Sequence, residues 1–405
     1  MPALPKGRAF CILREAQRKL PLSGELDANK VSRLKGLQRR IAKAVHQRID
    51  VLAGCRFAHF LQYGLRAQER EPAEFDSRFY GTFVHDVLEH VVQQTEREGG
   101  FAAVPRSRVQ ELAQERMEQN AQTLLETFPD SGRTGYLLRR TFDEVTQVVD
   151  ELYDELSVSV FRPKFCELEF SARGALPGVA FAGERCRGVV EGFVDRVDVW
   201  QSGGRPYVRV VDYKTGKKSF DYTNVLHGRG LQMLLYLFAL VRQGGHLLHG
   251  EPLPAGVLYF PARIERVSVR DRLAQAEIEK ERRKQLRRSG VLLNSDPVLE
   301  AMEPCGGSPR FLPYTLDKEG RKTGDLASFV QLAQLERFVF RTVAALGDEL
   351  ADGRIDPDPC IRDAKDSACA FCPYSEVCAG HEQPRWLKKI TAEEFWQTLE
   401  RREHG

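Results

Sequence analysis

Gly192-Phe193-Val194-Asp195-Arg196-Val197-Asp198 and, seventeen residues after Asp195, Val210-Val211-Asp212-Tyr213-Lys214 decide the fold. Each run reads as a β-strand, and Gln201-Ser202-Gly203-Gly204-Arg205-Pro206 between them is a turn signal. Side chains alternate along a strand, so Asp212 and Lys214 share one face while Val211 and Tyr213 take the other. A hairpin brings an aspartate of the first strand beside that pair. Two carboxylates and an ammonium at one spot suit a hard divalent ion and a water aimed at phosphorus. Asp-x-Lys alone is common on solvated strand faces. Here Asp212 ends Val208-Arg209-Val210-Val211, a mostly apolar run typical of a central strand, where an unpaired carboxylate is costly. Asp195 and Asp198 are an odd number of residues apart and face opposite ways, so only one can join Asp212.

Gly-x-Val-Asp-Arg followed by Val-Asp-Tyr-Lys resembles the PD-(D/E)XK nucleases of the RecB group. The resemblance implies an α/β, restriction-endonuclease-like mixed sheet flanked by helices, and it selects Asp195 over Asp198 as the metal ligand. Gly81-Thr82-Phe83-Val84-His85-Asp86-Val87-Leu88-Glu89 resembles the helix that supplies a metal-binding histidine, here His85. Gly230-Leu231-Gln232-Met233-Leu234-Leu235-Tyr236 resembles the Gln-x-x-x-Tyr helix that lines the site, here Gln232 and Tyr236. Glu167 is expected near the metal on the same ground. The implied set is His85, Asp195 and Asp212 on Mg²⁺ or Mn²⁺, helped by the Tyr213 carbonyl, with Lys214, Gln232 and Tyr236 completing the catalytic group.

The helices make physical sense by themselves. Val84, Val87, Leu88 and Val91 recur at helical spacing and form an apolar stripe, with His85 at its border. Gln232 and Tyr236 are one helical turn apart and share a face. His85 followed by Glu89 is not His-Glu-x-x-His, which excludes a zinc protease.

Nine cysteines are an odd number, and Met1-Pro2-Ala3-Leu4-Pro5-Lys6-Gly7-Arg8 lacks the apolar segment of a signal peptide. A disulfide framework is therefore not expected, and the reducing cytoplasm is. Cys369-x-x-Cys372-x(5)-Cys378 has metal-ligand spacing but leaves a four-ligand site one short. The stretch Ile49–Leu61 around Cys55 resembles the start of the nuclease module in the AddB branch of the family. There one N-terminal cysteine joins three C-terminal ones around a [4Fe-4S] cluster. The resemblance thus implies Cys55, Cys369, Cys372 and Cys378, a staple between the two ends of the module. Arg56 stands where the family has proline, and a local zinc site of Cys360, Cys369, Cys372 and Cys378 is the alternative.

Hydrophobic residues at 42% can build a sizeable core, charged residues at 29% are ordinary, and the net charge of +3 says little. The longest apolar run, Leu231 to Val241, is too short to cross a bilayer. Residues 1–50 carry twelve Lys/Arg against four Asp/Glu, and residues 263–288 ten against five. Such stretches either track a phosphate backbone or form solvated helical faces. No Gly-x(4)-Gly-Lys-Ser/Thr occurs, so no ATP motor is expected.

The expected organisation is a basic lead-in at 1–47, a nuclease domain at 48–385 and a helical tail at 386–405. Residues 48–160 read as helical, with breaks at Glu71-Pro72 and around residues 128–132. Residues 161–216 read as strands, followed by a helix near 228–242 and a strand at 255–260. Residues 263–345 read as charged and mainly helical, looser between 289 and 325. The expected function is a metal-dependent DNA nuclease, an exonuclease of recombinational repair, working with an AddA-like helicase subunit and no membrane. A standalone nuclease, a fragment and one piece of a split subunit all fit. A CRISPR-adaptation-type iron–sulfur nuclease and a DNA-binding module with a vestigial site are the alternatives.

Overall fold

A computed structural model describes residues 49–67, 77–127, 132–216, 219–264, 275–378 and 384–404. The basic lead-in and the breaks at Glu71-Pro72 and residues 128–131 lie outside these. Six strands form the central sheet and lie side by side in chain order: β1 (Arg162–Phe170), β2 (Gly192–Ser202), β3 (Arg205–Lys214), β4 (Leu253–Pro261), β5 (Ser289–Leu293) and β6 (Leu326–Ala327). The β1/β2, β2/β3 and β4/β5 pairs are antiparallel, while β3/β4 and β5/β6 are parallel. The sheet is mixed, as expected. The β2/β3 hairpin turns at Gly203 and Gly204, both at positive φ.

The flanking helices are α1 (Ile49–Gly54), α2 (Ser77–Arg97), α3 (Arg106–Thr127), α4 (Gly132–Val158), α5 (Gln232–Gln243), α6 (Phe329–Ala351) and α7 (Ala392–His404). The α2 stripe lands where the periodicity puts it: Val84, Val87, Leu88 and Val91 are fully buried. Helix α2 lies against β1 and β2 and packs on α3, which packs on α4. Helix α5 covers β3 and β4 and supplies the crossover that a parallel β3/β4 pair requires. Its run Leu234–Leu240 is buried on all sides because α6 closes over it. The C-terminal α7 is part of the same core through Phe395 and Leu399.

The stretch 289–325 is not the loose segment its composition suggested. It contributes β5 to the sheet and a hairpin, Tyr314–Leu316 with Lys322–Gly324. Strand β5 is too short for alternation to show, and its signal is a close approach of backbones. Gly256 of β4 and Gly290 of β5 hold φ of +136° and +156°. A Cβ on Gly290 would lie 2.0 Å from the Val257 carbonyl oxygen. Gly290→Ala is therefore expected to cost about 2–3 kcal/mol. Wild-type stability of that variant in a urea melt would refute the close approach.

One group of charges is wholly internal. Arg196, Asp198, Arg209, Glu155 and Arg288 are each no more than 2% exposed. Arg196 grips Asp198 through Nε and Nη2 at 2.8 and 3.0 Å. Arg209 donates to Asp198 at 2.8 Å and to Glu155 at 3.0 Å. Arg288 donates to the other Glu155 oxygen at 2.8 Å and stacks between Phe260 and Phe311. The neighbouring Arg287 donates to the Leu312 and Tyr314 carbonyls. Two cations of the basic 263–288 stretch thus hold parts of the fold together, Arg288 from within it.

Candidate active site

The β2/β3 ladder runs from Ser202 opposite Arg205 to Arg196 opposite Val211 and stops there. Beyond that point a side chain takes over from the backbone: Asp195 Oδ2 accepts the Tyr213 N–H at 2.6 Å. The strands part where the site begins. The Tyr213 carbonyl oxygen lies 2.9 Å from His85 Nε2, and His85 Nδ1 lies 3.6 Å from Asp195 Oδ2. Asp212 is ion-paired with Lys214, whose ammonium sits 5.9 Å from the centre of the Tyr259 ring. These side chains are 14 to 31% exposed, sheltered but open to a ligand.

Asp198 points the other way, into the buried charge group, so the face left undecided by its spacing from Asp195 is settled by Arg196 and Arg209. Glu167 joins the site. Its carboxylate oxygen, one of Asp195 and a His85 ring nitrogen all lie within 4.8 Å of one another, the tightest such group among the described residues. Glu167 holds φ +47°, a left-handed conformation rare for a non-glycine residue inside a strand. No periodicity rule predicts that kink, which is why the residues alone did not single out Glu167.

The donor set fits a hard divalent ion. Carboxylate, imidazole and backbone carbonyl oxygen or nitrogen atoms are the donors such ions take, and the 2.9 Å hydrogen-bond contact between His85 Nε2 and the Tyr213 carbonyl holds the imidazole in the group. Burial and the Asp212 charge raise the Asp195 carboxyl well above the usual range, against the pull of His85, the Tyr213 N–H and Lys214. Partial burial, then Asp195, Glu89 and Asp212, push Glu167 up to about 7. Carboxylates crowded until they resist ionising are a site that a cation stabilises.

Gln232 and Tyr236 lie one turn apart on α5, as their spacing requires. The Tyr236 ring is fully buried and stacks on Phe170 at 4.8 Å. Its hydroxyl donates to the Glu191 carbonyl at 3.2 Å and lies 3.5 Å from the Gln232 amide nitrogen. These contacts anchor the chain immediately before β2, the strand that carries Asp195.

Some distance along the chain, Cys55, Cys369, Cys372 and Cys378 line one cavity of about 110 Å³, floored by Phe57, Tyr374 and Pro359. Cys360 is turned away, its thiol donating to the Ala53 carbonyl at 3.3 Å. Among the described residues no three of these thiols come within 4.8 Å of one another. Burial pushes the Cys55 thiol up to about 11, so at neutral pH it is protonated and is no nucleophile. Arg56, the departure from the family pattern, ties the same region together. It pairs with Glu349 and Asp358, and Asp358 also holds Arg385 at 3.0 Å.

Comparison with known proteins agrees with this geometry. The chain is similar to an ATP-dependent helicase/deoxyribonuclease subunit of Moorella thermoacetica, 33% identical over 351 residues, which are 85% of this chain and 30% of the relative. The same-named subunit of a Thermoanaerobacter species is 29% identical over 368 residues, 87% of this chain and 32% of the relative. That of Clostridium perfringens is 27% identical over 376 residues, 88% and 32%. The chain thus spans about a third of the length of these curated relatives. Residues 45–379 match the family model of the PD-(D/E)XK nuclease superfamily, a span that takes in His85, both halves of the Asp195/Asp212 hairpin and all four cysteines of the cavity. With the mixed sheet and the parted hairpin already described, the match establishes that the chain belongs to the PD-(D/E)XK nuclease superfamily.

Proposed function

We propose that the chain hydrolyses DNA phosphodiesters with Mg²⁺ or Mn²⁺, as the nuclease module of a two-subunit helicase/nuclease acting in recombinational repair. The observation that carries this is the gathering of His85, Asp195 and Glu167 within 4.8 Å of one another, with His85 and Asp195 both on the Tyr213 backbone and the Asp212–Lys214 ion pair next in the same strand. His85, Asp195 and Asp212 would hold a divalent ion, which would supply a more acidic bound water and positive charge against the phosphate. Lys214 positions the attacking water and neutralises developing negative charge. Tyr236, buried against Phe170 and bonded to the Glu191 carbonyl, holds the approach to Asp195 in register, and Gln232 on the same helix face orients the Lys214 side and the DNA strand. Glu167 adds a carboxylate to the ligand set. The relatives' name, a subunit of an ATP-dependent helicase, supports an AddA-like motor as partner. No helix among the described residues is long and apolar enough to cross a membrane. We place the enzyme in the cytoplasm, take its nuclease domain as residues 48–385, and favour an exonuclease on strands fed by the motor.

The test is incubation with end-labelled single-stranded and duplex DNA, with Mg²⁺, with Mn²⁺ and with EDTA. Metal-dependent shortening of the label supports the reading. DNA bound but uncut under every condition would mean a vestigial site.

Cys55, Cys369, Cys372 and Cys378 are proposed to hold a structural [4Fe-4S] cluster, because these four line one cavity while Cys360, the rival fourth ligand, is bonded to the Ala53 carbonyl outside it. Anaerobically purified Cys55→Ser is expected to lose most of its iron, and Cys360→Ser to keep it. The reverse pattern, or stoichiometric zinc in the wild type, would overturn this assignment.

A further inference from the structure

Tyr213 touches both sides of the metal site with its backbone and the buried charge group with its side chain. Its N–H donates to Asp195 at 2.6 Å, and its carbonyl oxygen lies 2.9 Å from His85 Nε2. The ring meets His85 edge-on at 5.8 Å and Phe260 edge-on at 5.5 Å. At the far end, the hydroxyl accepts a hydrogen bond from Arg196 Nη1 at 3.1 Å. Arg196 is itself held on every side. It is fully buried, and the rest of its guanidinium is locked on Asp198, which Arg209 holds in turn. Arg196 also follows Asp195 directly, so one residue fixes the Asp195 strand through its backbone and Tyr213 through its side chain.

We propose that Arg196, acting through the Tyr213 hydroxyl, is a positioning residue for the metal ligands. The argument is one of tolerance. Small hard ions demand near-ideal octahedral geometry, and a ligand set is only as exact as the groups that lock it. The peptide units flanking Tyr213 carry one ligand atom and orient two more, yet β3 has no ladder partner on the β2 side beyond Val211. Where the ladder stops, Asp195 takes the Tyr213 N–H and the guanidinium fork braces the far end of the same residue. This use of the buried charges rests on the metal-dependent reading of the site, and it explains why Arg196 directs its third nitrogen to a tyrosine rather than to a second carboxylate.

The test is Tyr213→Phe, which keeps the ring and its packing and removes only the hydroxyl. Mn²⁺ affinity, read by calorimetry without DNA, is expected to fall by about 10–100-fold. Cleavage should need correspondingly more Mn²⁺, with KM for DNA unchanged and most of the rate restored at saturating metal. Val149→Ala, a cavity in the fully buried core of α4, is the control: it should lower the melting temperature and leave Mn²⁺ affinity alone. Unchanged Mn²⁺ affinity in Tyr213→Phe overturns the proposal, as does an equal loss in Val149→Ala. Wild-type protein that binds Mn²⁺ but cuts no DNA would sink the nuclease reading and leave the positioning role intact.

Discussion

Asp212→Asn is expected to lower DNA cleavage by at least about a thousandfold, a loss in the range seen when a charge-stabilising group is taken from a transition state. The substitution keeps the size of the side chain and removes one ligand charge together with the counter-ion of Lys214. Stability should move the other way. The Asp212 charge is one of the causes that raise Asp195 and Glu167, so neutralising it relieves repulsion among crowded carboxylates. A melting temperature equal to or slightly above wild type, beside lost activity, is the signature of a site that trades stability for function. Cleavage within tenfold of wild type, measured on end-labelled DNA with Mn²⁺, would remove Asp212 from the mechanism.

Glu155→Gln should act on the fold instead. Glu155 accepts from Arg209 and Arg288 inside the protein, with Arg196 3.8 Å away. The neutral amide leaves Arg196 and Arg209 sharing Asp198 as their only carboxylate within this group and takes from the buried Arg288 the carboxylate it donates to. Breaking one partner out of such a cluster costs about 3–5 kcal/mol, a large part of the roughly 5–15 kcal/mol that holds a domain together. The shape of the pH dependence follows from the same contacts. Burial alone would raise the Glu155 carboxyl, but Arg288, Arg209 and Arg196 hold it down at about 2, against an ordinary value of 4.5. A depressed carboxyl contributes stability that is complete above pH 4.5 and is lost as the pH falls from 4.5 toward 2. Urea melts from neutral pH down to about one unit above that depressed value should show wild type losing stability over the acid range and the variant losing less. Identical curves would mean that Glu155 is not the anion that holds the cluster.

Much of this was legible in the sequence, and the reasons divide cleanly. Alternation and a Gly-Gly turn placed the β2/β3 hairpin, and a 3.6-residue stripe placed α2, because both signals are local. Asp212 with Lys214 on one face followed from the same alternation. The choice between Asp195 and Asp198 rested on a family resemblance, since a strand pattern says that they diverge but not which side is buried. Glu167 depends on a left-handed residue within a strand, which no pattern of residue types announces. Arg287 and Arg288 read as surface charge because sequence shows sign and not partner, and the partner Glu155 lies 133 residues away. Strand β5 was missed because five residues are too few for a period to show.

The knot of Arg56, Glu349, Asp358 and Arg385 beside the four-thiol cavity has a consequence in time. Its N-terminal half leaves the ribosome more than three hundred residues before Cys369 does. At roughly 5–20 residues per second, Cys55 waits on the order of 15–60 s for its three companions. A group held by all four thiols can therefore be completed only after every strand of the sheet, down to Leu326–Ala327, has been synthesised.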